Sequence, residues 1–491
     1  MVARMSQEFD EQFDVVVIGV GAAGAAAALS AHESGARVLV IDKCGEDTAG
    51  GNTRISGSGW FINSDPERAA VFLRALAEGY SVAEDVVETW AAETAKNSDW
   101  MRSLGAQVAQ NADHHTQPEY VGVDGADCYA GMDTVGGQMG NFLLYDFLIA
   151  ALVDRGIEVR FSTRATELVT DVRGAVVGVA TEAGGQHSHI GSVGGVVLAT
   201  GGFAADRQMV RDYLRLVDPP LWGSPNATGD GHRMAQKAGA DLWHMDNMMT
   251  ITGIDCGSRL GLYLALWAGR NYLFASLEGR RFIDETAQNR HGHISRNGSF
   301  EHFPLQNFYL VFDERMRSSG PLSPGREMLP VGWKVLMDKG TPWSADNMAE
   351  IEAGIIKRAA TISDLAQLVG IDPSILETTV ALYNAACEKG QDDHFGRSRE
   401  SLAPVSEPPF YVLEVAPLLG WSSGGPRRDG RSRVVDPSGA VIDGLYAAGE
   451  VSSTYSWRKD GGFHIADALA FGRVAGREAA GHSDLSESSP G

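Results

Sequence analysis

The chain has few cysteines and no apolar stretch long enough to cross a membrane. Its four cysteines, Cys44, Cys128, Cys256 and Cys387, are widely scattered, and none belongs to a CxxC pair. This spacing argues against a cysteine-ligated metal centre or a dithiol redox mechanism, and it is typical of the reducing cytoplasm, where we expect the protein. No apolar run reaches the ~18 residues of a membrane span, and residues 1–12 form a polar arm without a secretory apolar core.

Positive charge is also scarce. The 491 residues include 41 Lys and Arg against 63 Asp and Glu, a net charge of −22. This excess of negative charge argues against nucleic acid or an anionic membrane surface as a partner. No internal repeat and no second GxGxxG motif occur, so we expect no separate nicotinamide domain. Electrons must then pass through a substrate cleft or to a partner, and the sequence leaves the electron acceptor unknown.

The segment Phe13–Lys43 carries the strongest signal that is present. It reads as an apolar strand, a GVGAAG turn, an alanine-rich helix, a second apolar strand and Asp42. In this pattern Gly19 allows a tight turn, Gly21 lets the backbone approach a pyrophosphate, and Gly24 lets helix and strand pack closely. The helix N-terminus attracts phosphate, and the acid accepts hydrogen bonds from a ribose. The segment predicts dinucleotide binding; the alternative is an ordinary βαβ turn.

The loop Thr48–Gly59 indicates which dinucleotide is bound, because its small and hydroxyl-bearing residues suit the flat ring of a flavin. Its GGN-x-x-x-S-G stretch resembles the fumarate reductase and succinate dehydrogenase flavoprotein family. Further motifs support the resemblance: LATGGF at 198–203, GDG at 229–231, DGLYAAGEV at 443–451, GG at 461–462, ADA at 466–468 and FGR at 471–473. The likeness covers most of the chain.

The resemblance implies an α/β fold with a Rossmann-like FAD-binding domain and an inserted α+β cap that holds substrate. We expect the first part of the FAD-binding domain at 1–244, the cap at 245–410 and the return segment at 411–491. Within the cap, the sequence predicts a strand pair over Tyr272–Ile283 and helices over Asn347–Val369 and Asp372–Lys389.

The expected cofactor is FAD without a covalent link, because no histidine stands directly before the GGN motif, where some relatives attach their flavin. The residues expected to bind it are Gly19, Gly21, Ala22, Ala23, Gly24, Asp42, Lys43, Gly50, Gly51, Asn52, Thr53, Ser56, Gly57, Ala165, Thr200, Gly201, Gly202, Asp230, Gly449, Glu450, Ala466 and Asp467.

The family resemblance also implies the chemistry: a carbon–carbon bond next to a carbonyl or carboxylate is desaturated, or the alkene is reduced. The flavin takes or gives the hydride, and the protein supplies a proton acceptor or donor and hydrogen-bond donors for the carbonyl oxygen. The loop after Arg281–Glu285 supplies the proton-transfer group in relatives. Here the usual tyrosine is missing, and Arg290 and His291 are the candidates. A solvated polar loop is the alternative, and no metal site is expected.

Two other positions differ from relatives that act on fumarate. Trp421 stands where those relatives carry a histidine, and Lys459 stands nearest the place of their arginine. Lysine cannot make the planar two-pronged grip of arginine on a carboxylate. The substrate site is therefore expected to be more apolar, with Trp267 and Tyr263 as further wall candidates.

For the carbonyl oxygen, the candidate donors are the backbone N–H groups of Gly461 and Gly462 and the Tyr455 hydroxyl. Lys459 is a candidate base if burial lowers its pKa, or a structural partner of Asp460.

Three hypotheses follow for the function, each with a small-molecule ligand or a redox partner. The first is a flavin-dependent dehydrogenase of a cyclic ketone, similar to the ketosteroid dehydrogenases. The second is a reductase of an unsaturated carboxylate, with Arg290 as the acid and Arg458 and Lys459 holding the acid group. The third is a flavin-binding module without catalysis.

Overall fold

The computed structural model describes residues 8–80, 82–111, 116–140, 143–255, 257, 259–266, 269–286, 292–296, 299–323 and 343–487. Three candidate residues, Trp267, Arg290 and His291, lie outside the described residues. The roles assigned to them stay predictions.

A parallel sheet lies at the centre of the nucleotide-binding part. Its five parallel strands, in spatial order, are Val441–Ala447, Gln186–Leu198, Glu11–Ile18, Val38–Ile41 and Glu158–Arg160. Antiparallel strands extend it: Arg433–Val435 at one edge, and Val176–Ala183 and Arg164–Thr170 as a meander. Residues 15–17 are fully buried because both faces of the sheet are covered. The predicted strands and the turn between them are confirmed.

Two helices composed largely of small residues pack against this sheet. The first, Ala22–Glu33, is buried along most of its length and lies against the C-terminal helix Phe463–Glu487. A Cβ added at Gly472 or Gly476 would lie 2.4 or 2.1 Å from a backbone carbonyl oxygen of the first helix. The helices therefore approach so closely that these two positions tolerate no side chain.

The cap is built on an antiparallel sheet. Its strands are Leu262–Tyr263, Met248–Ile254, Phe410–Ser422, Phe308–Asp313, Tyr272–Ala275 and Ile356–Ala359. The long strand Phe410–Ser422 pairs with Met248–Ile254 through its second half and with Phe308–Asp313 and Ile356–Ala359 through its first half. The sequence places the return to the FAD-binding domain at 411, but that boundary cuts a continuous strand whose hydrogen bonds belong to the cap.

Two predictions within the cap are wrong. Only Tyr272–Ala275 of the expected strand pair is a strand, and its partner is Phe308–Asp313. The expected helix over 347–369 is interrupted by the strand Ile356–Ala359. Gly354, with φ of +74°, ends the first helical turn, and Thr361 caps the next helix through its side chain.

The helices of the described residues are Ala22–Glu33, Gly51–Ile55, Pro66–Leu76, Glu84–Thr94, Asn97–Ser103, Leu143–Asp154, Arg207–Met209, Asp230–Lys237, Glu314–Ser318, Met348–Glu352, Ile362–Leu368, Pro373–Lys389 and Phe463–Glu487. None of them is long and apolar enough to cross a membrane. The smaller sheets comprise Trp60–Asn63 with Tyr129–Val135 and Val108–Gln110, Leu242–Trp243 with Gly425–Pro426, and His293–Arg296 with Ser299–His302.

Candidate functional site

A cavity of about 820 Å³ lies where the parallel strands end and the cap begins. Segments that directly follow four parallel strands line it: residues 19–23, 42–44, 199–201 and 448–450. The carboxyl ends of parallel strands meet at one edge of a sheet, which is where open α/β folds bind nucleotides.

Most of the residues predicted to bind FAD come together on the wall of this cavity. They are Gly19, Gly21, Ala22, Ala23, Asp42, Lys43, Gly50, Gly51, Asn52, Thr53, Ser56, Gly57, Thr200, Gly201, Gly449 and Glu450.

The glycines of the GVGAAG turn have the geometry that a pyrophosphate needs. Gly19 has φ of +100°, and a Cβ there would lie 2.4 Å from the Ala199 carbonyl oxygen. A Cβ on Gly24 would lie only 1.8 Å from the Gly19 carbonyl oxygen, so Gly24 serves the packing of helix on strand and faces away from the cavity. Gly21, in contrast, faces the cavity, and its nearest neighbour would be Thr53 Oγ1 at 3.2 Å. The turn therefore presents backbone without a side chain at Gly21, and a pyrophosphate can approach it there.

Two side chains fix this turn. Thr53 Oγ1 accepts a hydrogen bond of 3.0 Å from the Ala22 N–H, in the first turn of the helix. The Asp42 carboxylate accepts from the N–H groups of Val20 at 3.1 Å and Cys44 at 2.9 Å. A carboxylate has about four acceptor positions, so Asp42 can still accept hydrogen bonds from a ribose.

Asn52 of the GGN motif links the flavin loop to the C-terminal part of the chain. Its Nδ2 donates to Glu450 over 2.7 Å, and its Oδ1 accepts from the Ser224 N–H over 2.8 Å. Burial raises the pKa of Glu450 to about 7. A Cβ on Gly202 would lie 2.1 Å from Glu450 Oε1, so Gly202 makes room for the acid and is not on the wall itself.

The remaining predicted cofactor residues lie behind the cavity wall. Asp230 pairs with Lys43 Nζ at 2.8 Å, and it orients that lysine, which does line the cavity. Ala466 accepts a hydrogen bond through its carbonyl from Asn97 Nδ2 at 2.9 Å. Ala165 pairs with Thr181 in the meander. We expected these residues, and Gly24 and Gly202, to contact the cofactor directly. Their positions off the cavity wall do not support such a contact.

Asp467 likewise has a structural partner. It accepts from Arg428 Nη2 at 2.9 Å and from Thr454 Oγ1 at 2.5 Å, and the arginine lies over the Phe471 ring at 3.6 Å. All of these groups are buried. The Arg428–Asp467 pair joins the C-terminal helix to the segment that follows the cap. The next residue of the helix, Ala468, lines the cavity.

The opposite end of the cavity has a largely apolar wall. Aromatic and aliphatic side chains from the cap and from the segment after Pro220 surround it: Trp222, Met249, Ile251, Tyr263, Leu264, Leu266, Tyr272, Phe274, Phe303 and Trp421. The rings of Trp222 and Tyr263 lie 5.7 Å apart. The predicted wall positions Trp421 and Tyr263 are therefore on the cavity, together with Trp222, which the sequence did not single out.

Among the described residues, the charged side chains on this wall are Glu119, Glu285 and Lys459. It is 4% exposed, and its Nζ lies 4.6 Å from the centre of the Trp421 ring. Burial lowers the pKa of Lys459. The Asp460 carboxylate accepts from the N–H groups of Glu119 at 2.8 Å and Gly461 at 2.7 Å. The alternative role of Lys459 as its salt-bridge partner stays a prediction. In the described part of the chain no carboxylate forms an ion pair with Lys459.

Two of the three groups predicted to donate a hydrogen bond to the substrate carbonyl donate to protein atoms instead. The Tyr455 hydroxyl donates to the Phe463 carbonyl at 2.6 Å and accepts from Trp90 Nε1 at 3.0 Å, and the residue does not line the cavity. The Gly461 N–H donates to Asp460. Gly462, the third predicted donor, lines the cavity.

A buried ionic network surrounds Glu285, the last residue of the Arg281–Glu285 motif. Glu285 accepts from Arg281 Nε at 2.7 Å and from Arg397 Nη1 at 3.3 Å, and Asp392 pairs with Arg281 at 2.8 Å. Glu285 and the residue after it line the cavity. The network therefore fixes the motif at the wall of the cavity.

His464 is a cavity residue that the sequence analysis missed. It is the second residue of the C-terminal helix, and its ring lies 5.2 Å from Trp421 and 5.1 Å from Tyr455. A polar residue two positions after the GG pair that precedes the helix was the available signal.

Comparisons with known proteins show which family and fold the chain shares. A family model described as FAD binding domain matches residues 14–469. Fumarate reductase (cytochrome) of Shewanella frigidimarina is 30% identical over 503 residues, with 98% of this chain and 79% of that protein covered. The 3-oxosteroid 1-dehydrogenase of Mycobacterium tuberculosis is 26% identical over 577 residues, covering 95% of this chain and 98% of that protein. The crystal structure of 3-ketosteroid delta1-dehydrogenase from Sterolibacterium denitrificans shares the fold, with a TM-score of 0.79, 22% identity, and 96% and 100% of the two chains covered.

Proposed function

The chain belongs to the FAD binding domain family and is an FAD-dependent oxidoreductase of the fumarate reductase and ketosteroid dehydrogenase type, and from this premise we propose that it forms a C=C bond next to the carbonyl of a cyclic ketone. The product is the corresponding enone.

The observation that carries this proposal is the apolar wall of the substrate end. Among the described residues that line the cavity, the cations are Lys43 and Lys459 and there is no arginine. Lys43 is paired with Asp230, so among these described residues Lys459 is the cation available to a substrate anion. A dicarboxylate needs two charged grips to offset its desolvation. Tryptophan and tyrosine rings instead suit the faces of a flat, neutral ring.

The bound FAD would accept the hydride from the carbon next to the one that loses its proton. The cradle of Gly19, Gly21 and Asp42 would hold its pyrophosphate and ribose, and the loop after Gly50 its ring end. The wall formed by Trp222, Tyr263 and Trp421 excludes water from the ketone and holds it flat. The proton acceptor, Arg290 or His291, stays a prediction.

A reductase of an unsaturated carboxylate is the second candidate. It is favoured by the buried ammonium of Lys459, which no carboxylate neutralises in the described part of the chain. It is also favoured by the relation to the fumarate reductase of Shewanella frigidimarina.

The two candidates are separated by anaerobic mixing of the FAD-loaded protein with substrates. A cyclic ketone such as a 3-ketosteroid or a substituted cyclohexanone is expected to bleach the oxidised flavin, whereas succinate is not. After dithionite reduction, a cyclic enone should reoxidise the flavin faster than fumarate. Faster reoxidation by fumarate would contradict the proposal and establish the second candidate.

A further inference from the structure

We propose that the Tyr272 hydroxyl binds a second oxygen of the substrate, on the part of the molecule that lies away from the flavin. The substrate of this enzyme is then a cyclic ketone that carries a further hydroxyl or carbonyl group. The inference rests on the proposed function and extends it from the reacting carbonyl to the other end of the substrate.

The Tyr272 hydroxyl is a polar group in an apolar part of the cavity. Tyr272 lines the cavity, is 5% exposed and packs with Leu264 and Phe303, which line it too. Its hydroxyl forms no hydrogen bond with any residue that the structure describes. Burying a hydroxyl without a hydrogen bond costs free energy. Water can satisfy the group in the free enzyme, but a ring that expels this water must offer a polar atom in its place.

Glu285, the acid next to Tyr272, cannot take this role. Its carboxylate accepts from Arg281 Nε and Nη2, both at 2.7 Å. It also accepts from Arg397 Nη1 at 3.3 Å and from the Phe274 N–H at 3.2 Å. A carboxylate offers about four acceptor positions, so these four bonds use its capacity. Tyr272, unlike Glu285, keeps its hydrogen-bonding capacity for a ligand.

The cap holds the Tyr272 ring in a fixed position. The buried guanidinium of Arg397 lies 4.7 Å from the ring centre, and its Nη1 donates to the Tyr272 carbonyl at 2.8 Å. Tyr272 also pairs with Phe312 in the cap sheet. Burial raises the pKa of Tyr272, so at neutral pH the hydroxyl keeps its proton and can donate to an oxygen. A fixed donor of this kind selects a ligand by the position of its oxygen.

Two clusters of apolar side chains indicate which part of the substrate Tyr272 meets. The cluster of Trp222, Met249 and Leu418 packs against Ile55 of the flavin loop. The cluster that contains Tyr272 consists of cap residues alone. The hydride passes to the flavin, so the reacting bond lies on the side of the first cluster. The Tyr272 hydroxyl therefore meets an oxygen on the other side of the substrate.

The test crosses two enzymes with two ketones. The enzymes are the FAD-loaded wild type and Y272F, which lacks only the hydroxyl. The ketones are matched pairs that differ in one oxygen: 4-hydroxycyclohexanone with 4-methylcyclohexanone, and a steroid with a ketone at each end with the same steroid lacking the ketone of the five-membered ring. Binding is measured as the half-saturating concentration in anaerobic flavin reduction, and as the rise in melting temperature, which requires no turnover.

The wild type should bind the oxygen-bearing member of at least one pair about tenfold more tightly, because the other member leaves the hydroxyl buried without a partner. Y272F should reduce this preference to about twofold or less. The hydroxyl has no described protein partner, so Y272F should also keep its flavin content and the unfolding midpoint of the FAD-free protein.

The matched control is Y383F. Arg397 also packs on the Tyr383 ring, at 5.4 Å, but the Tyr383 hydroxyl donates to the Ala403 carbonyl at 3.1 Å and does not line the cavity. Y383F should therefore lower the unfolding midpoint, because it loses a hydrogen bond. It should keep the wild-type preference between the paired ketones.

Failure of this inference differs from failure of the proposed function. Equal binding of both members of every pair by the wild type, or a preference that Y272F retains or Y383F also loses, overturns the Tyr272 contact even if ketones reduce the flavin. A preference seen in the melting temperatures and lost in Y272F, without reduction of the flavin by any ketone, supports the contact and contradicts the proposed function.

Discussion

The two glycines of the phosphate turn, Gly21 and Gly24, predict opposite outcomes for the same substitution. A Cβ on Gly24 would lie 1.8 Å from the Gly19 carbonyl oxygen and 3.3 Å from the Ala199 side chain. Contact distances of carbon and oxygen are above 3 Å, so G24A must displace the helix from the strand by more than 1 Å. Overpacking of this kind costs about 1–3 kcal/mol or more in a closely packed core.

Gly21 is less crowded, because its one tight contact would be with a side-chain hydroxyl, which can shift by a few tenths of an ångström. Its φ of −70° and ψ of −172° are open to alanine, and the added methyl would touch only Thr53 Oγ1 at 3.2 Å and the Gly50 carbonyl oxygen at 3.5 Å. G21A should therefore change the free energy of unfolding of the FAD-free protein by no more than about 0.5 kcal/mol. The methyl does occupy the wall where the pyrophosphate approaches, so FAD affinity should fall tenfold or more, about 1.4 kcal/mol.

The assay is urea unfolding of the FAD-free proteins, followed by titration of each with FAD. G24A should lower the unfolding midpoint, and G21A should leave it in place while weakening FAD binding. Wild-type FAD affinity in G21A would show that the pyrophosphate does not lie against this turn. Wild-type stability in G24A would refute the packing argument.

Three other predictions concern charges around the cavity. Burial raises the pKa of Glu450 from 4.5 to about 7, so the folded state favours the protonated acid. The stability of the FAD-free protein should then fall as pH rises from about 5 to about 7, by up to ~1.4 kcal/mol per unit, and E450Q should flatten this slope in unfolding curves. R428M should lower the free energy of unfolding by ~3–5 kcal/mol, because it leaves the buried Asp467 carboxylate without its ion-pair partner. The double variant R428M/D467L should recover most of that loss in the same unfolding curves. The double variant W421H/K459R should raise the rate of flavin reoxidation by fumarate relative to a cyclic enone; an unchanged ratio would show that these two positions do not set substrate class.

The sequence by itself determined the nucleotide-binding architecture. The GVGAAG turn, the two flanking strands and Asp42 are governed by local physics: positive φ at Gly19, close backbone approach, and buried strands that read as continuous apolar runs. Segments that follow parallel strands necessarily converge on one edge of the sheet. The family resemblance implies that Gly21, Thr200 and Glu450 bind the same cofactor, and this convergence is the physical reason that they line one cavity.

The tertiary structure alone decided which polar groups are free to act. Tyr455, Asp460 and Asp467 are all placed near the cavity by their motifs, but whether a side chain faces substrate or a protein partner depends on elements far away in sequence. Trp90 and Arg428 satisfy two of these residues from 365 and 39 positions away. Periodicity carries no information about such pairings.

The same reason applies to the cap and to the substrate wall. Phe410–Ser422 has the apolar character of a strand in either domain, and only its hydrogen bonds to Met248–Ile254 and Phe308–Asp313 assign it to the cap. Lys459 and His464 lie on either side of the GG pair at 461–462, but the sequence does not show which residues their side chains contact. Packing of the C-terminal helix brings both against Trp421, a contact that local sequence does not encode.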